Sequence, residues 1–356
     1  MSGEVESGNG DMTDTQNELE INKLFRIVTK HDGSDLHLKV GSPPLMRLAG
    51  KLRQMQLPEM STSDVAKLTL PMLNDRLNRT LEETGGVDFA YILPDEEGRF
   101  RVNLFRQRGT LSLVGRRVNN EVPDFKSLHL PSILEELSSF TQGMILLAGV
   151  TGSGKSTTIA SMIEYINQKR RVHIVTIEDP IEFLFKDKKS IINQREVGMD
   201  VVDWETAMKH VVREDPDVIF VGEMRDKDTF QTALQAAETG HLVFGTIHAS
   251  TAPSTVGRIL DLFPTAMHES LRSSLAFNMR AILAQKLLPS IKEEVQRVPV
   301  CEIMLFNPTV QKLILEAEDE KLGDAIAIAT GEGMRDFTES LKQLIDQEFI
   351  ERAAAF

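Results

Sequence analysis

The sequence predicts an α/β protein in two parts, an α+β domain of about a hundred residues followed by a domain on a mostly parallel sheet. Three observations predict it. From Gly143 onward, apolar strand-sized runs alternate with amphipathic helical patterns, the signature of parallel strands joined by crossover helices. A glycine-rich loop directly follows the first of these runs and opens a helix. Before residue 118, by contrast, short alternating stretches are separated by turn residues.

In the first part, Leu24, Phe25, Ile27 and Val28 suggest a helix that ends near the Asp32-Gly33 turn. Asp35 to Val40 alternates as a half-buried strand does, and after the Gly41–Pro44 turn Leu45 to Leu48 reads as a second. A helical stretch runs through Val65, Leu68 and Leu73. Further strands are expected over Val87–Leu93 and over Arg99–Leu113, broken near Gly109. Residues 119–141, with Pro123 and Pro131, read as a linker holding one helix over Ser132–Phe140. The strands expected after it are Met144–Ala148, Val172–Ile177, Val218–Val221 and Leu242–Ile247. A helix carrying Phe230, Ala233, Leu234 and Ala237 on one face closes at Gly240. Phe337, Leu341, Leu344, Ile345 and Phe349 give the tail, residues 307–356, a helical spacing.

The composition narrows the class. At 356 residues, 41% hydrophobic and 26% charged, the chain fits two globular domains. Residues 1–19 hold acidic side chains among Gly and Ser with no Lys or Arg, and read as a disordered lead rather than a secretory signal. The longest apolar run, Met144–Val150, is strand-sized, so no transmembrane segment is expected. The single cysteine, Cys301, excludes an internal disulfide framework and a multi-cysteine zinc site. Together these features predict a cytoplasmic protein. The net charge of −13 argues against nucleic acid as a partner.

Gly149, Val150, Thr151, Gly152, Ser153, Gly154, Lys155 and Ser156 fit the pattern G-x-x-x-x-G-K-[ST] in full, with Thr157 next in the helix. Each element has a reason. Glycines let the backbone curl so that successive N–H groups point at phosphate oxygens, Lys155 reaches the β- and γ-phosphates, and the Ser156 hydroxyl serves Mg²⁺. The helix behind the loop adds the positive end of its dipole. ATP with Mg²⁺ is therefore the expected ligand.

The attacking water and the metal both need carboxylates on a neighbouring strand end. Val218–Val221 is followed at once by Gly222 and Glu223, which puts Glu223 at the carboxyl end, where open α/β sheets bind ligands. Glu223 is assigned to the attacking water, whereas Asp217 precedes the run and falls at the wrong end. The strand ending at Ile177 delivers Glu178 and Asp179 before Pro180. Glu178 is the candidate to face the metal or its waters, although alternation does not settle which of the pair does. His248, at the end of Leu242–Ile247, is a candidate sensor of the γ-phosphate. No cysteine or carboxylate accompanies it and His241 at metal-ligand spacing, so zinc is not expected.

Arg99, Arg101, Arg106, Arg108, Arg116 and Arg117 crowd into twenty residues. Arg99 and Arg101 share one strand face in this reading, as do Arg106 and Arg108. Surface charge, nucleic-acid contact and phosphate-reaching fingers all compete as explanations, and the sparse aromatic interleaving weakens the second.

Taken together, these residues resemble the PilT-type ATPases, the retraction motors of bacterial type IV pili within the superfamily of secretion ATPases. The likeness covers residues 20–306. It rests on SDLHL at 34–38 with GSPP at 41–44, RFRVN at 99–103, the glycine-rich loop, TIEDPIE at 176–182, DPDVIFVGEMRD at 215–226 and TGHLVFGTIHA at 239–249. The resemblance implies a PAS-like N-terminal domain over 20–118 and a RecA-like ATPase domain over 142–306. It also implies a homo-hexameric ring with ATP between domains, and phosphate contacts from Arg101, Arg108 and Arg116. The implied partners are an inner-membrane pilus platform protein and a paralogous pilus ATPase, with the motor peripherally docked at the inner membrane. One departure concerns retraction: where such proteins carry Ala-Ile-Arg-Asn-Leu, this chain reads TVQKL at 309–313. An accessory nucleotide-binding subunit with weak hydrolysis is the alternative function.

Overall fold

Val118 closes one compact unit and Asn119 opens the other in this computed structural model, which describes residues 19–94, 98–118 and 121–355. The acidic lead lies outside the described residues except for Leu19.

The first unit opens with α1 (Ile21–Lys30), which buries Ile21, Leu24, Phe25 and Val28, one stripe at helical spacing. Six strands follow in antiparallel pairing: β1 (Asp35–Lys39), β2 (Leu45–Leu48), β3 (Lys51–Gln54), β4 (Gly86–Ile92), β5 (Arg99–Gln107) and β6 (Thr110–Arg117). Their order across the sheet is β3-β2-β1-β6-β5-β4. Between β3 and β4 stand α2 (Thr62–Thr69), started by a capping box of Ser61 and Asp64, and α3 (Asp75–Thr84), started by Asn74 and ended by Gly85. Leu36, Leu38, Val102, Leu104 and Leu113 join the α1 stripe in the core. The one feature of the arginine reading that fails here is the shared strand face of Arg106 and Arg108. Arg108 leaves the strand for the β5–β6 turn, with φ 49°, because the chain must reverse before Thr110 pairs back on Gln107.

In the second unit a short α4 (Ile133–Leu137) precedes β7 (Gly143–Ala148), α5 (Lys155–Lys169), β8 (His173–Glu178), β9 (Ile191–Glu196), α6 (Trp204–Val211) and β10 (Val218–Val221). Then come α7 (Lys227–Glu238), β11 (Leu242–Ile247), α8 (Ala252–Leu260), α9 (His268–Asn278), β12 (Met279–Pro289) and β13 (Arg297–Leu305). Three helices end the chain: α10 (Pro308–Leu315), α11 (Leu322–Ile328) and α12 (Phe337–Asp346). The sheet order is β13-β12-β7-β11-β10-β8-β9. All neighbours pair in parallel except β12 with β13.

Both faces of this sheet are covered. Met144, Leu146 and Ala148 pack into one hydrophobic cluster, while Ile145 and Leu147 pack into another with Ile159, Met162 and Ile163 of α5. Burial on both faces is why the strands read as continuous apolar runs. Val310, Ile314, Leu322 and Ile326 belong to the first cluster, so α10 and α11 share the core of the sheet. Phe349 lies beyond the end of α12 yet is buried against Val298 and Val300. The helix expected over Ser132–Phe140 is reduced to one turn, and Ser138 instead caps back onto Leu134 O.

Candidate functional site

Register builds the site. Ala148 pairs with Ile247, Gly245 with Val221, and Val221 with Ile177. Because these strands are parallel, the residues just past them emerge along one edge: the loop from Gly149, then His248, then Gly222 and Glu223, then Glu178. Asp217 sits at the opposite end of β10, where its carboxylate accepts the His173 N–H at 2.8 Å, as its place before the apolar run required.

The edge encloses a cavity of about 340 Å³, lined by Thr151, Gly152, Gly154, Lys155, Ser156 and Thr157 of the loop and α5, by Glu178, Asp179 and Glu182, and by Glu223, Arg225 and His248. Trp204, Phe220, Leu287 and Arg297 also line it. Gly149 and Val150 present carbonyls to Lys155, whose ammonium donates to both at 2.8 and 3.0 Å. Burial pushes the Lys155 ammonium below its ordinary range, and the nearby Glu223 and Glu182 offset this only in part.

Glu223 is aimed by a turn that Thr246 ties down, its hydroxyl donating to Gly222 O at 2.5 Å, while Met224 N donates to Thr246 O at 2.9 Å. Arg225 donates to Glu223 Oε2 at 2.5 Å, and His248 Nε2 stands 3.0 Å from Oε1. Burial alone would raise the Glu223 carboxyl. The Arg225 hydrogen bond and the charges of Arg225, His248 and Lys155 outweigh it and hold the group below the usual carboxylate range.

Glu178 behaves differently. Only 6% exposed, it accepts Thr176 Oγ1 at 2.8 Å and Gln194 Nε2 at 3.1 Å on the same oxygen. Burial dominates these bonds and pushes its carboxyl up to about 7.

The chemistry of the groups lining the cavity tests whether a phosphate ligand fits. The donors available (a cation, a hydroxyl and a helix N-terminus) suit phosphate oxygens, and a carboxylate opposite suits a water or metal. A second cavity of about 340 Å³ adjoins the first through Gly154, Thr157, Leu287 and Arg297, with Leu128, Leu130, Val295 and Pro299 supplying apolar walls.

The arginines carried by the resemblance belong to the first unit. Arg101 and Arg116 face each other across β5 and β6, both exposed, with Arg116 Nε 2.9 Å from Asp35 Oδ1. Arg108 lies about 20 Å along the hairpin from them, at some 3.3 Å per residue, so the three do not converge within one chain.

Comparison with known proteins follows the same lines. The family described as type II/IV secretion system protein matches residues 13–348. The chain belongs to that family. It is 38% identical over 337 residues to the type IV pilus retractation ATPase PilT of Pseudomonas aeruginosa, covering 95% of this chain and 97% of that one. A twitching motility protein of Neisseria gonorrhoeae is 42% identical over 312 residues, covering 88% and 83%. A crystal structure of the pilus retraction motor PilT with bound ADP superposes with a TM-score of 0.87 at 43% identity, covering 95% and 96%. This secretion-system family member is thus of the PilT type and shares its α/β fold. No described helix is long and apolar enough to cross a membrane.

Arg225, Arg297 and Trp204 were not expected at the site. Arg225 lies within the segment at 215–226 and two residues from Glu223, a spacing that signals it. Arg297 arrives on β13, opposite β12, strands with no motif of their own.

Proposed function

We propose that this chain is a Mg²⁺-dependent ATPase that powers retraction of type IV pili. The observation that supports this reading best is the single cavity shared by the 149–157 loop, Lys155, Glu178 and Glu223, in a chain this similar to pilus retraction motors. In it the loop N–H groups and Lys155 bind the β- and γ-phosphates, and the apolar walls of the second cavity take the base. Glu223, kept ionised by Arg225, accepts a hydrogen bond from the attacking water and orients it for in-line displacement. Ser156 would hold Mg²⁺, with Glu178 as the carboxylate facing it, and the ion would supply neutralisation of phosphate charge. His248, beside Glu223, registers the γ-phosphate.

In this reading the first unit is PAS-like and the second RecA-like, and six copies form a ring. Arg101, Arg108 and Arg116 supply phosphate contacts. Binding draws rigid bodies together and hydrolysis releases them, driving an inner-membrane platform protein against which the cytoplasmic ring docks. A second reading, an accessory subunit with weak hydrolysis beside a paralogous pilus ATPase, draws on the TVQKL segment at 309–313, which lies on α10 with Val310 buried. Deleting the gene and counting surface pili separates them: excess pili with lost twitching is expected for the motor, and unchanged pilus numbers would contradict it.

A further inference from the structure

Gln285 lies in β12 and is only 3% exposed. Both ends of its amide are engaged. Nε2 donates to Ser153 O at 2.8 Å, and Oε1 accepts from Thr158 Oγ1 at 2.8 Å. A carbonyl can only accept, which fixes the amide orientation. One side chain therefore joins the phosphate loop to the first turns of the helix it opens.

The same side chain explains one of the loop's glycines. A Cβ on Gly154 would stand 2.7 Å from Gln285 Nε2, so that position has no room for a side chain while the amide is in place.

The peptide joining Ser153 to Gly154 is planar, and in a trans peptide C=O and N–H point in opposite directions. Holding Ser153 O toward β12 turns the Gly154 N–H away from it. Among the described residues that N–H has no backbone acceptor, and Gly154 lines the cavity of Lys155 and Glu223. We propose that Gln285 is a positioning residue for nucleotide binding, which fixes the Ser153–Gly154 peptide so that the Gly154 N–H is presented to a bound phosphate. This role rests on the nucleotide reading above. Thr158 is its anchor, since the bond to Oε1 keeps the amide from turning over.

The test compares Gln285→Met, which keeps the volume and removes both bonds, with Thr158→Val, which removes only the anchor, and with the double variant, all in the full chain. The readouts are Kd for ADP and KM and kcat for ATP hydrolysis. In Gln285→Met, Kd and KM rise about tenfold while kcat falls less than about threefold. Thr158→Val moves both constants the same way by a smaller factor and adds nothing in the Gln285→Met background. A merely structural role would lower the amount of folded protein, reducing the maximal rate with KM and Kd unchanged, and that result overturns the assignment. If Gln285→Met does not fold, an unchanged Kd in Thr158→Val overturns it equally. Failure of the wild-type chain to bind ADP is a different outcome, because it removes the nucleotide reading and this role with it.

Discussion

Glu178 and Glu223 leave neighbouring parallel strands of one sheet and line one cavity, yet their surroundings drive their carboxyls in opposite directions. Glu223 stands two residues beyond β10, where Arg225, Lys155 and His248 gather around it and keep it ionised. Glu178 is the last residue of β8, still inside the layer, with Thr176 and Gln194 as its hydrogen-bond donors, and burial lifts it to about 7. Two residues of extra reach past the strand end separate a carboxylate held below its usual range from one raised to about 7. Pairs of acids pushed apart in this way divide ionised and proton-holding roles between them.

The largest effect is expected at Lys155, the loop cation that lines the cavity with both carboxylates. Lys155→Ala should lower kcat/KM for ATP by about a thousandfold, as removing a preorganised charge from a phosphate site does; steady-state phosphate release measures it. Glu178→Gln sharpens the other side. The folded carboxyl binds its proton up to about pH 7 against an ordinary value of 4.5, so the native state holds more protons between those values and loses stability as pH rises through them. The contribution is on the order of 3 kcal/mol. Melting curves from pH 5 to 8 should therefore fall less steeply in Glu178→Gln than in the wild type. Arg225→Ala removes the largest influence lowering Glu223, so the acid limb of the rate profile should move to higher pH, with a loss of about threefold or less at pH 7.5. His248→Asn should be the mildest, within about threefold in kcat.

How much of this was legible depended on what each strand carried. The strands β10 and β11 were readable to the residue because burial on both faces leaves unbroken apolar runs, and the glycine-rich loop announced its own chemistry. β9, whose sequence IINQRE alternates and is partly exposed, gave no such run. β12 and β13 hold Gln285 and Arg297 without any motif, and their importance comes from long-range pairing beside β7 that local pattern does not encode. In the first unit, β3 is exposed along its whole length and has no apolar face to betray it. The contrast between Glu178 and Glu223 was hidden for the same reason. Both were visible as acids at strand ends, but their charge states are set by burial at Glu178 and, at Glu223, by Arg225 together with His248 and Lys155, which only the fold brings there.

The central claim is that Glu223 orients the water attacking a nucleotide held by the 149–157 loop. The most direct measurement is Mg²⁺-dependent phosphate release by Glu223→Gln, alongside ATP binding to the same protein. The account predicts turnover at least about a hundredfold lower with ATP still bound. Turnover equal to that of the wild type would contradict it.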